Sequence, residues 1–309
     1  MIKSIINGFT YPFSPHIFFT VRGCENVHIY LWICKDIGWT YGNKAFGMLF
    51  GTLALAWIVV LVINHWMEKN FEDIYFIVPT FLWLFGNYLW MTGDLLYNSY
   101  IYRFTASCIM MVGVLLIVFY FAFLKKKQYF LPNNEGDNKY VSNGLVCRFK
   151  SIGTWKRYEF IHMGFWLLKD YCWCSQDKVM WLAGALPTLF ISWDLINVTR
   201  KNQGLFVDLI HYIAQLVWVC GNITWAFCEL FSIGADSKPN FHDKNTTGRF
   251  CAGIILLISW IPIICLYGIW LPLTLMKKIT QEPGTEQINS PMHIKIVQQY
   301  NLDDTIDSI

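Results

Sequence analysis

The side chains able to do chemistry in this sequence fall into four stripes. His28, Trp32, Lys35 and Trp39 lie at offsets of 0, 4, 7 and 11 residues, and so do Trp83, Asn87, Trp90 and Asp94. The same two patterns recur as His162, Trp166, Lys169, Trp173 and as Trp218, Asn222, Trp225, Glu229. On a helix such offsets fall within an arc of about 60°, so each set forms one face. An Asn amide offers two donors and an acceptor without charge, and indole rings supply flat apolar walls. Asn87 and Asn222, flanked by Trp83, Trp90, Trp218 and Trp225, are therefore the candidate solute-binding residues. Their chemistry suits a neutral, hydroxyl-rich or zwitterionic solute better than a bare ion.

The charged members pose a different question, because the sequence around them is apolar. Lys35, Asp36, Lys169 and Asp170 are expected near the bilayer midplane, with Asp94 and Glu229 nearer the outer surface. Each mid-bilayer charge costs about 2.5–3.5 kcal/mol on insertion scales. Adjacent residues on a helix point about 100° apart, so Lys35 and Lys169 are expected to meet carboxylates on neighbouring helices rather than their own Asp36 and Asp170. The competing structural reading is that Trp packs the interior, Asn bonds backbone, and the Lys/Asp groups are fixed ion pairs holding helices in register. His211 and Asp208, with Asp194, read as groups at headgroup level. Cys172 and Cys174 read as packing residues.

The elements that position these residues are membrane helices. The chain has 309 residues, 55% hydrophobic and 15% charged, against about 25% charged in soluble domains. Phe104 to Phe123, Phe250 to Met276 and Ala45 to Met67 contain no Asp, Glu, Lys or Arg, and each can cross about 30 Å of hydrocarbon. Pro79, Pro187, Pro262 and Pro272 fall inside such runs, where they can kink a helix. The ten cysteines show no CxxC or Cys/His finger spacing, so no disulfide framework, metal site or cofactor is expected. A net charge of +3 without a basic tract argues against nucleic acid. The expected partner is the lipid bilayer.

The stripes also reveal a duplication. His28, Trp32, Lys35, Asp36, Trp39 and Lys44 match His162, Trp166, Lys169, Asp170, Trp173 and Lys178 at one offset of 134 residues. Asp73, Trp83, Gly86, Asn87 and Trp90 match Asp208, Trp218, Gly221, Asn222 and Trp225 at 135, with Asp94 against Glu229, and Arg103-Phe104 matches Arg249-Phe250 at 146. The reading is an N-terminal segment 1–24, membrane repeat 25–123, basic linker 124–156, membrane repeat 157–276 and polar tail 277–309. Helices are expected near 25–43, 45–67, 72–97 and 102–123, and again near 159–176, 179–199, 205–232 and 250–276.

The fold class is thus all-α, a polytopic membrane bundle of eight transmembrane helices arranged as two tandem parallel four-helix repeats. The first helix of each repeat is interrupted by its Lys-Asp pair, so the count could fall to six. Basic residues collect on the cytoplasmic side. Eight spans divide them 16 to 6, whereas six spans divide them 14 to 10. Eight spans with both termini cytoplasmic is the better topology, and it puts the loop 233–248, with the acceptor Asn245-Thr246-Thr247, on the exterior or luminal side.

Parallel repeats place a shared site at their interface. SWEET-type sugar transporters are similar in design, with parallel repeats and paired Trp and Asn residues, although their units have three spans and none of their motifs occurs here. The functional expectation is a small-solute transporter or channel, the alternative an intramembrane enzyme or receptor-like scaffold. No HExxH, Ser-His-Asp or GxSxG pattern with usable context occurs. A retinal-type Schiff base is disfavoured because two equivalent Lys residues sit in the first helix of each repeat.

Overall fold

The computed structural model describes residues 21–67, 71–124, 155–200, 206–233 and 246–273, and among them every regular element is helical. The helices are α1 Val21–Thr40, α2 Lys44–Met67, α3 Phe71–Thr92, α4 Tyr100–Phe119, α5 Trp155–Cys174, α6 Lys178–Thr199, α7 Phe206–Leu230, α8 Thr246–Ile258 and the short α9 Trp260–Ile263. Wide π-helical turns extend α3 (Gly93–Tyr97), α4 (Tyr120–Leu124) and α9 (Ile264–Trp270). The first and fifth helices end earlier than the sequence predicts. The chain turns out at Gly42, whose φ of +68° is glycine's left-handed conformation, and at Gln176, with φ of 65°.

Among the described residues six helical segments are long and apolar enough to cross a membrane, Lys44–Met67, Phe71–Tyr97, Tyr100–Leu124, Lys178–Thr199, Phe206–Leu230 and Gly248–Leu273. Their outward faces carry Leu49, Leu53 and Ile63, then Val112, Leu115 and Val118, then Leu186, Phe190 and Trp193, then Ile254, Leu257 and Ile261, all exposed. Such a continuous apolar surface is stable only against hydrocarbon. The chain is a multi-pass integral membrane protein.

Among the described residues α1 and α5 do the opposite. They expose no large hydrophobic side chain, and His28, Lys35, Asp36, His162, Lys169 and Asp170 on them are all buried. Consecutive helices pack as antiparallel neighbours, and α8 returns to touch α1 and close the circuit. The helices carrying the stripes (α1, α3, α5 and α7) form an inner group, and α2, α4, α6 and α8 cover it. This resolves the conflict between composition and burial, because the most polar helices are kept from lipid by apolar ones.

Two hairpins are held by backbone approach at glycine. A Cβ on Gly38 would stand 2.5 Å from the Gly47 nitrogen and 2.6 Å from its Cα, and one on Gly184 would stand 2.8 Å from the Lys169 nitrogen. Neither neighbour is a side chain that can swing away. Gly38→Ala is therefore expected to force α1 from α2 and cost about 1–3 kcal/mol or more. Gly42→Ala, where no atom lies within 4 Å, should show only the smaller strain of its positive φ. Melting of the two variants in detergent measures the difference.

Candidate functional site

Each inner helix contributes two Trp residues seven apart, Trp32 and Trp39 on α1, Trp83 and Trp90 on α3, Trp166 and Trp173 on α5, Trp218 and Trp225 on α7. The second members form a closed ring. Centroid separations are 5.0 Å for Trp39–Trp90, 4.8 Å for Trp90–Trp173, 5.1 Å for Trp173–Trp225 and 5.0 Å for Trp39–Trp225, all edge to face. The first members form a looser ring, with 4.9 Å for Trp32–Trp83, 5.0 Å for Trp83–Trp166, 4.9 Å for Trp166–Trp218 and 6.2 Å for Trp32–Trp218. First members meet first members and second meet second, so the four inner helices run in the same direction. Seven helical residues separate the rings by about 10 Å along the axis. Edge-to-face indole contacts of this kind add about 0.5–1.5 kcal/mol per pair beyond buried area.

Between the rings lies the polar layer. Three and four residues beyond the first Trp come Lys35-Asp36 on α1, Gly86-Asn87 on α3, Lys169-Asp170 on α5 and Gly221-Asn222 on α7. Lys35 Nζ pairs with Asp36 Oδ1 and Lys169 Nζ with Asp170 Oδ1. The expectation that each Lys would meet a carboxylate on another helix is corrected. The flexible Lys stem lets the ammonium curl onto the adjacent carboxylate, whose second oxygen bridges to the neighbouring helix. Asp36 Oδ2 accepts from Trp218 Nε1 at 2.7 Å and from Asn222 Nδ2 at 3.2 Å, and Asp170 Oδ2 accepts from Trp83 Nε1 at 2.8 Å. Asn87 breaks the pattern and donates to the Trp83 carbonyl of its own helix at 3.1 Å.

At the end nearer the second ring the charges cross. Arg249 reaches Asp94 at 3.1 Å and stacks its guanidinium 4.7 Å from the Trp225 ring centre. Arg103 reaches Glu229 at 2.6 Å, stacks 4.6 Å from the Trp90 ring centre, and donates to the carbonyls of Cys174 at 2.9 Å and Trp173 at 2.8 Å. Trp39 Nε1 also donates to Asp94, at 3.1 Å. Each Arg thus stacks on a Trp from its own half of the chain and bonds a carboxylate from the other half. Cys174 is buried, its Sγ 3.1 Å from the Arg103 carbonyl.

Beyond the first ring, at the opposite end, is a cavity of about 170 Å³. Trp32 and Trp166 close it on the inner side. Its walls draw on Glu25, His28, His65 and Asp73 from one half of the chain and on Glu159, His162, His211 and Gln215 from the other. His65 lies 3.3 Å from Glu25 through Nε2 and 3.3 Å from Asp73 through Nδ1. His211, read from the sequence as a headgroup-level residue, is buried, bonded to the Tyr30 hydroxyl and 3.2 Å from that of Tyr267. Asp208 accepts from Asn26 at 3.3 Å and Asp194 from Tyr158 at 2.9 Å.

The candidate solute residues Asn87, Asn222, Trp83, Trp90, Trp218 and Trp225 are all buried and come together in the inner group, but they touch each other and the Lys/Asp pairs rather than line this cavity. Asn245 lies outside the described residues. The sequence reading missed the cavity and the bridging roles of Arg103 and Arg249. The signal for the two rings is present in the sequence, since Trp-x6-Trp recurs in all four inner helices and alternately encloses Lys-Asp and Gly-Asn.

Over the described residues the fold and site define an all-helical membrane protein with an indole-lined polar core. No family model, no curated protein and no solved structure matches the chain.

Proposed function

We propose that the chain is a small-solute transporter or channel with its pathway closed, built from two tandem parallel units, 25–123 and 157–276. The observation that carries this reading is the cavity between the halves. It draws walls from both, ends on Trp32 and Trp166, and has behind those rings a layer of Asp36, Asp170, Asn87 and Asn222. In this reading solute enters the cavity, the first Trp ring parts as one half shifts against the other, and the Asn pair meets the solute in the polar layer. Ring contacts near 5 Å leave no room for passage without such a shift, as expected of an occluded state. A small neutral or zwitterionic solute fits the Asn amides.

The topology proposed is eight spans with both termini cytoplasmic. α1 and α5 are 20 residues each, about 30 Å long. α1 runs antiparallel to α2 from the Glu25–His65 contact to Gly38 beside Gly47, and α5 runs along α6 from the Ser192–His162 bond to Gly184 beside Lys169. Both thus accompany a membrane-spanning partner along its length. In a glycosylating host Asn245 is then expected to be modified, and Asn245→Gln should abolish the mobility shift removed by glycosidase. An unmodified Asn245 together with cytoplasmic exposure of an epitope in 233–248 would overturn the topology.

The solute reading is tested by thermal shift of the purified protein against small metabolites. A ligand at about one hundred times its Kd stabilises by roughly 2.7 kcal/mol. The gain should vanish in both Asn87→Leu and Asn222→Leu, each compared with its own unliganded melting temperature, which Asn222→Leu lowers by removing a donor to the buried Asp36 carboxylate. The second reading is a scaffold, favoured by the pairing of all four buried charges in the polar layer. It predicts that no solute stabilises the protein.

A further inference from the structure

We infer that the cavity takes a small protonated amine, a primary or secondary ammonium on a compact carbon frame; this rests on the reading of the chain as a solute-binding membrane protein and names its ligand class. The inference sets a cation in the entry cavity, where the sequence alone favoured neutral or zwitterionic chemistry in the deeper Asn layer.

Acidic side chains stand on several sides of the cavity. Glu25, Asp73 and Glu159 bring carboxylates from three helices, and none of the described lining residues is Lys or Arg. Two lining imidazoles have their protons committed elsewhere. His28 Nε2 lies 2.8 Å from the Ala54 carbonyl, which can only accept, so Nε2 carries the hydrogen and Nδ1 is left as an acceptor. Ser192 donates its hydroxyl proton to the Thr188 carbonyl at 2.8 Å, so His162 Nε2, 2.7 Å from the Ser192 oxygen, must donate, again leaving Nδ1 as an acceptor. His65 has a carboxylate 3.3 Å from each ring nitrogen.

The remaining surface is aromatic. Trp32 and Trp166 close the inner side, and Phe76 and Phe160, stacked with ring centres 3.6 Å apart, stand in the wall. Ring faces attract ammonium groups through their quadrupole, and more so away from water. A volume of about 170 Å³ holds several waters, which leaves room for an amine of three or four carbons. The wealth of acceptors favours a cation with N–H donors over a quaternary one.

The test uses isosteric probes on the purified full-length protein, n-propylammonium, 1-propanol, propionate and tetramethylammonium, with melting temperature and Trp fluorescence as readouts. Propylammonium is expected to give a saturable stabilisation and a fluorescence change that propanol and propionate do not, with tetramethylammonium at least tenfold weaker. Glu25→Gln and Glu159→Gln should each weaken propylammonium about tenfold, equivalent to 1.4 kcal/mol, measured against each variant's own unliganded melting temperature, because Glu25 also pairs with His65 and Glu159 accepts from the Tyr212 hydroxyl. An equal response to propanol or propionate would overturn the amine class yet leave the solute-binding reading standing. A response to Zn²⁺ with none to propylammonium would put a metal at Glu25, His65 and Asp73 and overturn it too. Silence to every probe overturns the amine proposal, and the metabolite screen and flux then decide the wider reading separately.

Discussion

Lys35→Met is expected to cost about 3–5 kcal/mol of stability, because it leaves the Asp36 carboxylate buried without its counter-charge. Removing both partners, as in Lys35→Met with Asp36→Leu, should recover most of that loss but not all. Asp36 also accepts from Trp218 and Asn222, and each buried donor left unsatisfied costs about 1–3 kcal/mol. The equivalent pair gives an internal control. Asp170 accepts across helices from Trp83, so Lys169→Met with Asp170→Leu orphans one such donor rather than two and should recover more. Thermal or denaturant melting in detergent of the two single and two double variants checks the ordering. Lys35→Met melting like wild type would show that the pair is not a buried structural ion pair.

The second large effect is expected at Arg103. Its guanidinium stacks on Trp90, pairs with Glu229 and donates to two carbonyls at the end of α5. Arg103→Ala removes all of these and leaves the Cys174 and Trp173 carbonyls without these donors, so a loss of about 3–5 kcal/mol is expected. Arg103→Lys should recover little of it, since an ammonium cannot fork to three acceptors while lying flat on an indole. Arg249→Ala should cost less, because Arg249 stacks and pairs with Asp94 but donates to no backbone carbonyl among the described residues. Equal losses at the two positions would show that the carbonyl contacts contribute nothing.

Much of the helical framework was legible because membrane helices leave long apolar runs, and Phe104 to Phe123 or Ala45 to Met67 permit no other element. The stripes were legible for a related reason: lipid admits few polar residues, so Trp83, Asn87 and Trp90 stand out against their surroundings. The partner of Lys35 was not. Sequence spacing fixes where a Cβ points, but a four-carbon side chain reaches its own neighbour as readily as the next helix. The cavity was invisible for a different reason. Glu25, His65 and Asp73 come from the start of α1, the end of α2 and the start of α3, and no local spacing links them. Their meeting depends on how helix ends align, which is set by contacts such as Gly38 against Gly47.

Trp-x6-Trp in every inner helix makes four similar hairpins, and the Lys-Asp and Gly-Asn insertions alternate around the axis. The charged pairs lie on opposite inner helices, α1 and α5, and each is tied through its carboxylate to the inner helix beside it. Both carboxylate bonds, Trp218–Asp36 and Trp83–Asp170, tie the two halves of the chain together.

The proposed role as a solute pathway is tested most directly by osmotic shrinking and re-swelling of proteoliposomes. Vesicles challenged with small neutral, zwitterionic and ammonium solutes re-swell only as fast as the solute enters. The account predicts that at least one of these classes re-swells protein-containing vesicles faster than protein-free ones, and that the excess rate is lost in the Asn87→Leu/Asn222→Leu protein reconstituted to the same density. Re-swelling rates equal to those of protein-free vesicles for every solute would contradict it.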